Sequence, residues 1–76
     1  MTAKEIGTKL RELRGERLVA EVAEATGLGV SAISNYENGT RIPRDSAKIV
    51  LAKYYGVSIE DLFFADNSTI SGDAAG

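Results

Sequence analysis

The chain has 76 residues, which is enough for one small domain with a single core. It contains no Cys and no His, which excludes a disulfide scaffold, thiol and imidazole metal sites and His-based catalysis. From this inventory we expect no enzyme, no catalytic residue, no metal site and no cofactor. The apolar runs are too short for a membrane span, and the N terminus lacks the pattern of a secretory signal. We therefore expect a cytoplasmic protein without a membrane partner.

The net charge of −2 hides an uneven distribution along the chain. Residues 1–53 hold all nine Lys and Arg against seven Asp and Glu, a net charge of +2. Residues 54–76 hold four acidic residues and no basic one. The mildly basic part is compatible with a nucleic-acid partner, but charge alone is a weak indication because most surface charges are simply solvated.

The first predicted helix covers residues 2–14. Thr2 and Glu5 have the spacing of a capping box, in which each side chain accepts a hydrogen bond from the other residue's backbone amide. Apolar residues then recur at i, i+4 and i+7, on one face of a helix. Gly15 ends the pattern.

The second and third predicted helices cover residues 18–26 and 30–38, with Gly27 and Gly39 as their ends. The third helix is rich in Ser and Asn, which have modest helix propensity, so packing must stabilise it. A loop with Pro43 follows.

A fourth helix is predicted over residues 46–55, with Asp45 as its N-cap. Ser58 is the predicted cap of a short fifth helix that runs to about residue 64. The composition then becomes small, polar and unpatterned, so we expect one domain over 1–64 and a disordered tail or linker over 65–76. The predicted core consists of Ile6, Leu10, Leu13, Val22, Ala23, Leu28, Ile33, Leu51 and Leu62.

Short helices joined by Gly-containing turns are typical of a helix-turn-helix. The specific pattern comprises Val22-Ala23, Gly27, Ile33-Ser34, Glu37, Gly39, Arg41 and Pro43. In this order and spacing it resembles the Cro/repressor-like, XRE-type helix-turn-helix family, and the resemblance extends over about residues 5–64. It implies an all-α fold: a compact five-helix, lambda-repressor-like DNA-binding domain whose helix-turn-helix is formed by helices 2 and 3.

The chain departs from the family pattern at three places. Leu18-Val19-Ala20 contains no Gln, which the family often places near the start of the second helix to contact the DNA backbone. The third helix begins with Gly29-Val30-Ser31-Ala32 instead of a polar cap and long polar side chains. Asp45 and Lys48 stand where the fourth helix is usually apolar.

The resemblance also implies which residues contact DNA. The first half of the third helix faces base edges, and the loop after it contacts phosphates. The expected base contacts are Val30, Ser31, Ser34 and Asn35. The expected phosphate contacts are Asn38, Thr40, Arg41 and Arg44. Alternatives stay open: Val30 covers the core, the two serines are ordinary surface residues, and the arginines belong to a solvated loop.

Two further pairings follow from the resemblance. Arg14 and Glu37 match positions that form a structural ion pair in the family, so neither is expected to contact bases. The family's dimer contact lies near the last helices, which here gives Ile59, Phe63 and Phe64. The alternative is that Phe63 belongs to the core and only Phe64 is exposed.

These observations favour a sequence-specific transcriptional regulator that binds double-stranded DNA. We expect it to be a repressor that binds a palindromic operator as a homodimer. The alternative is a helix-turn-helix protein-interaction module, of the antitoxin or anti-repressor type, whose main ligand is another protein. The acidic C-terminal end and the short side chains of the third helix keep this alternative open.

Overall fold

The computed structural model describes residues 2–63, with Phe63 described by its backbone alone. Its helices are, in chain order, α1 (Ala3–Arg14), α2 (Val19–Thr26), α3 (Val30–Asn38), α4 (Asp45–Tyr55) and α5 (Ile59–Phe63). No strand is present in this part of the chain. The all-α class and the five-helix order are confirmed. Phe64 and the predicted tail over 65–76 lie outside the described residues.

The capping box at the start of α1 is confirmed. The Glu5 amide donates to Thr2 Oγ1 at 3.1 Å, and the Thr2 amide donates to Glu5 Oε1 at 2.7 Å. Ser58 also caps α5 as predicted, because its Oγ accepts from the Asp61 amide at 2.9 Å. Both helices therefore begin where a local side-chain acceptor is available.

The prediction that Asp45 is the N-cap of α4 is wrong. Arg44 is the N-cap, its side chain makes no capping bond, and Asp45 is the first helical residue. In this first turn the carboxylate complements the positive end of the helix dipole. Lys48 Nζ lies 3.8 Å from Asp45 Oδ1, which adds a weak attraction because the Asp45 side chain is fully exposed.

A single core lies between the helices. Its buried apolar residues are Ile6, Leu10, Val22, Ala23, Ile33, Tyr36, Ala47, Leu51, Ala52 and Leu62. Leu13 and Leu28 were expected inside it, but they are half-buried and pack against its edge. Leu13 lies in the last turn of α1 and Leu28 in the turn between α2 and α3, so fewer neighbours cover them.

The helix α3 packs between α1 and α2, α4 packs on α2, and α5 packs on α1 and α4. Gly7 lies at a close approach of α1 to α3. A Cβ atom at position 7 would lie 2.5 Å from the backbone oxygens of Tyr36 and Glu37. Only glycine permits this separation between the two helices.

Gly39 ends α3 with a left-handed backbone, at φ +79°. The same position lies against the start of α1, because a Cβ atom there would be 3.1 Å from the Cα atom of Lys4. The left-handed conformation therefore favours glycine at position 39, and any side chain there would also have to displace the start of α1 slightly.

Candidate nucleic-acid interface

The helix α3 has two faces of opposite character. At about 100° per residue, five positions fall within an arc of about 140°. These positions are Val30, Ser31, Ser34, Asn35 and Asn38. Ile33, Tyr36 and Glu37 lie outside this arc, are each at most 7% exposed, and form the inner side of α3. We call the first set the outer face of α3. It contains all four predicted base-contact residues and one predicted phosphate contact.

The residues of the outer face differ in exposure. Val30 is 50% exposed, Ser31 and Asn38 are exposed, and Ser34 and Asn35 are half-buried. The side chains of this set are short, so the polar groups of another molecule can come close to them. Helix geometry and packing against the core bring these residues to one surface.

Asn35 and Thr40 were predicted to contact bases and phosphates respectively, and the structure brings the two together. The Thr40 hydroxyl lies 3.2 Å from both the backbone oxygen and the Oδ1 atom of Asn35. The Thr40 amide also donates to the Asn35 backbone oxygen at 3.0 Å. Thr40 therefore fixes the turn after α3 and helps to orient the Asn35 side chain.

Asn38 has a partner that the sequence reasoning missed. Arg11 Nη2 on α1 donates to Asn38 Oδ1 at 3.0 Å. The side chain of Arg11 is 58% exposed, so it also brings a positive charge to the end of α3. The available signal was its position on α1, one turn before Arg14.

Arg14 and Glu37 form a two-bond ion pair between α1 and α3. Arg14 Nε donates to Glu37 Oε2 at 2.7 Å, and Arg14 Nη2 donates to Glu37 Oε1 at 2.9 Å. The side chain of Glu37 is 4% exposed. The hydrogen bond to Glu37 raises the pKa of Arg14, and burial of Arg14 opposes this shift. The pair lies in the contact between α1 and α3, and it borders the outer face because Arg11, which bonds Asn38, also lies 3.8 Å from Glu37.

Arg17 and two tyrosines of α4 form a second cluster, near the pair of Arg14 and Glu37. The Arg17 guanidinium lies 5.3 Å from the ring centroid of Tyr54 and 5.8 Å from that of Tyr55. Burial raises the pKa of Tyr55 to about 12, and the negative charge of Glu37 adds to the shift. Both tyrosines are half-buried within the chain's own packing.

The loop after α3 carries the two predicted phosphate-contact arginines. Arg41 and Arg44 are exposed, whereas Pro43 between them is buried. The backbone oxygen of Arg44 accepts from the Lys48 amide at 2.8 Å, which ties the loop to the first turn of α4. The loop is thus anchored while its cationic side chains point to solvent.

Of the predicted dimer-contact residues, only Ile59 has a described side chain. It is half-buried and lines a shallow apolar groove of about 270 Å³ with Asp45, Lys48 and Ile49. In residues 2–63, no group of three or more acidic side chains is arranged to hold a metal ion. No helix in this range is long and apolar enough to cross a membrane.

The comparisons with known proteins agree with this geometry. A model of the helix-turn-helix family matches residues 9–62, which include α2, α3 and the turn between them. The chain is also 42% identical over 57 residues to the cryptic phage CTXphi transcriptional repressor RstR of Vibrio cholerae. This alignment covers 72% of the chain and 51% of the repressor, so the chain spans about half the length of that relative. No solved structure matches the chain. The extent of the family match shows that the chain belongs to the XRE-type helix-turn-helix family.

Proposed function

We propose that the chain is a sequence-specific, double-stranded DNA-binding transcriptional regulator, and that it represses by occupying a palindromic operator as a homodimer. The observation that carries the proposal is the outer face of α3, where short side chains lie together on the second helix of the motif. The similarity to a transcriptional repressor supports the regulatory role.

In this proposal, the first half of α3 enters the major groove. Asn35 pairs with an adenine edge, and Ser31 and Ser34 donate to or accept from neighbouring base edges. Short side chains require the helix to lie close to the bases. The buried inner side of α3 supports such an approach because it holds the helix rigidly against α1.

Phosphate contacts come from the end of α3 and the following loop. Arg41 and Arg44 supply charge, while Asn38 and Thr40 supply hydrogen bonds. Arg11 adds a further cation beside Asn38. These contacts fix the position of α3 on the duplex without selecting a sequence.

A single helix-turn-helix contacts few base pairs, so a two-fold dimer with α3 helices about 34 Å apart is needed for specificity. We place the dimer contact at Ile59, Phe63 and Phe64. The apolar groove supports this placement because Ile59, one of the three residues, lines it together with Ile49 of α4.

The test starts with selection of operators from a random duplex library, followed by affinity measurements at several salt concentrations. Arg41 and Arg44 of both chains predict a slope of about −4 in log affinity against log salt, because each neutralised phosphate contributes about 0.9, and a phosphate contact of Arg11 makes the slope steeper. Arg41→Ala is expected to weaken binding to all sequences and make the slope shallower. Asn35→Ala is expected to cost about 1–3 kcal/mol on the selected operator and little on random DNA.

Lys53→Ala is the matched control, since it removes an exposed charge from the last turn of α4 and is expected to leave the slope unchanged. The dimer is tested by the stoichiometry at saturation, with two chains per palindromic duplex expected. If Asn35→Ala weakens binding equally on operator and random DNA, α3 does not select the sequence. If no DNA binds even at low salt, the protein-interaction alternative replaces this proposal.

A further inference from the structure

Gly29 is a glycine that the fold does not explain. It is the N-cap of α3 with φ −71° and ψ 159°, a conformation that every residue adopts. A Cβ atom at this position would meet nothing within 4 Å. Ser, Asn or Asp would stabilise the helix better at an N-cap, because α3 has no side-chain capping bond. Neither backbone conformation, packing nor capping therefore requires glycine at position 29.

The fold does not explain the valine at position 30 either. It is the first residue of α3, it is 50% exposed, and it is not among the half-buried apolar residues that pack against the core. Valine is also a weaker helix former than many alternatives. Val30 lies one turn before Ser34 on the outer face, so it stands at the front of the surface that we propose for base contacts.

We infer that Val30 is a specificity-determining residue that packs against the C5 methyl group of a thymine in the operator, and that Gly29 lacks a side chain so that the DNA can come this close. The inference rests on the proposed function. Thymine is the one base that presents a methyl group in the major groove, and a half-exposed valine offers it two methyl groups. A Cβ atom at position 29 would meet nothing within 4 Å, so a side chain there would extend into open space at the start of α3, next to Val30 in the chain.

The experiment uses the full chain and the selected operator. Each thymine is replaced in turn by deoxyuridine, which lacks the methyl group but keeps the same hydrogen-bonding atoms. At one symmetric position, replacement of thymine by deoxyuridine is expected to lower the affinity of the native chain about fourfold per half-site. This factor corresponds to about 0.8 kcal/mol for one buried methyl-sized group. Val30→Ala is expected to bind the thymine operator about as weakly as the native chain binds the uracil operator.

Val30→Ala is further expected to bind thymine and uracil operators equally, since the partner of the methyl group is gone. This four-way comparison removes effects of uracil on the DNA itself and small effects of the substitution on the fold. Thermal melting of Val30→Ala is expected to change little because the side chain is half-exposed. Val30→Thr, which keeps the shape and one methyl group, is expected to retain part of the uracil sensitivity.

Gly29→Ser tests the second half of the inference. Serine is expected to keep or raise the melting temperature through the new cap, yet to weaken operator binding at least tenfold by occupying the space beside Val30. Unchanged binding by Gly29→Ser would overturn the role assigned to Gly29.

Two results would overturn the role of Val30: a native chain that tolerates uracil at every thymine, or a Val30→Ala chain that keeps the native sensitivity. Either result leaves the proposed function standing, because operator binding is then still observed. A chain that selects no duplex from the library overturns both, and Val30 would then belong to a protein-binding surface.

Discussion

The helices α1 and α3 pack against each other, but they are specified in different ways. The helix α1 carries local signals at both ends: a capping box with Glu5 in its first turn, and Arg11 and Arg14 in its last. The helix α3 has no side-chain capping bond, no acidic residue in its first turn and no basic residue in its last. Its stability must come from neighbours, and α1 supplies much of it through the ion pair to Glu37 and the close approach at Gly7.

This difference shows how a helix can keep one face free for another molecule. Local stabilising residues would occupy positions at the start and along the outer face of α3. Because the ion pair to Glu37 and the close approach at Gly7 do not involve the residues of the outer face, most of those residues can vary without loss of these contacts. Substitutions in the contact between α1 and α3 should therefore reduce the stability of the fold strongly. Substitutions in the capping box of α1 should reduce it weakly.

The largest effect is expected from Arg14→Met. It leaves the Glu37 carboxylate buried without its two-bond partner, and removal of one member of a buried pair typically costs 3–5 kcal/mol. Because Arg14 is partly exposed and Arg11 Nε lies 3.8 Å from Glu37 Oε1, we expect the loss to lie at the lower end of this range. The free energy of unfolding, measured with urea, should fall by about 3 kcal/mol. Arg17→Met, which loses the contact with two tyrosine rings, is the control and should cost about 0.5–1 kcal/mol. Equal losses in the two variants would contradict the dependence of α3 on this pair.

A smaller loss of about 2 kcal/mol is expected for Gly7→Ala, because the new methyl group would overlap two backbone oxygens of α3. The direction of the change in stability is informative, because a Gly→Ala substitution inside a helix normally stabilises the helix by about 0.5–1 kcal/mol. Gly29→Ala adds the same methyl group in open space and is the control for overlap; it should cost only about 0.5–1 kcal/mol, because Gly29 is an N-cap and alanine is a poorer N-cap than glycine. Thermal unfolding measures both, and a stabilised Gly7→Ala variant would show that the two helices are not in close contact at this point.

The smallest effect is expected for Thr2→Ala, which removes one side of the capping box and should cost about 1 kcal/mol. Thr8→Ala is the control, since Thr8 lies inside α1 and bonds back to the Lys4 carbonyl. Hydrogen exchange should show faster opening of the first turn of α1 in Thr2→Ala, with α3 unaffected. Faster exchange throughout α3 would mean that the start of α1 also determines the stability of α3.

The same contrast explains what could be predicted from the sequence. The capping box of α1, the ends of α2 and α3 at Gly27 and Gly39, and most of the core follow from local patterns, because each depends on residues a few positions apart. The predicted start of α4 lies one residue after the observed start, because aspartate is favourable both at an N-cap and in the first turn of a helix. The pairing of Arg14 with Glu37 came from the family resemblance and not from a local pattern.

Contacts between helices were the part that the sequence did not reveal. The close approach at Gly7, the bond from Arg11 to Asn38 and the stacking of Arg17 on two tyrosines depend on crossing points and side-chain directions. For the close approach at Gly7, the available signal was an isolated glycine inside an amphipathic helix, because such a glycine costs helix stability unless packing requires it.

The close packing of Gly39 on the start of α1 has a consequence for how this sequence can vary. The backbone at position 39 is left-handed, and a Cβ atom there would lie 3.1 Å from the Cα atom of Lys4. Substitution at position 39 is therefore restricted twice, by the backbone conformation and by the neighbouring helix. Exposed positions of the outer face, such as Ser31, carry neither restriction. We therefore expect the outer face of α3 to diverge by exchange of single side chains while the end of the helix stays unchanged.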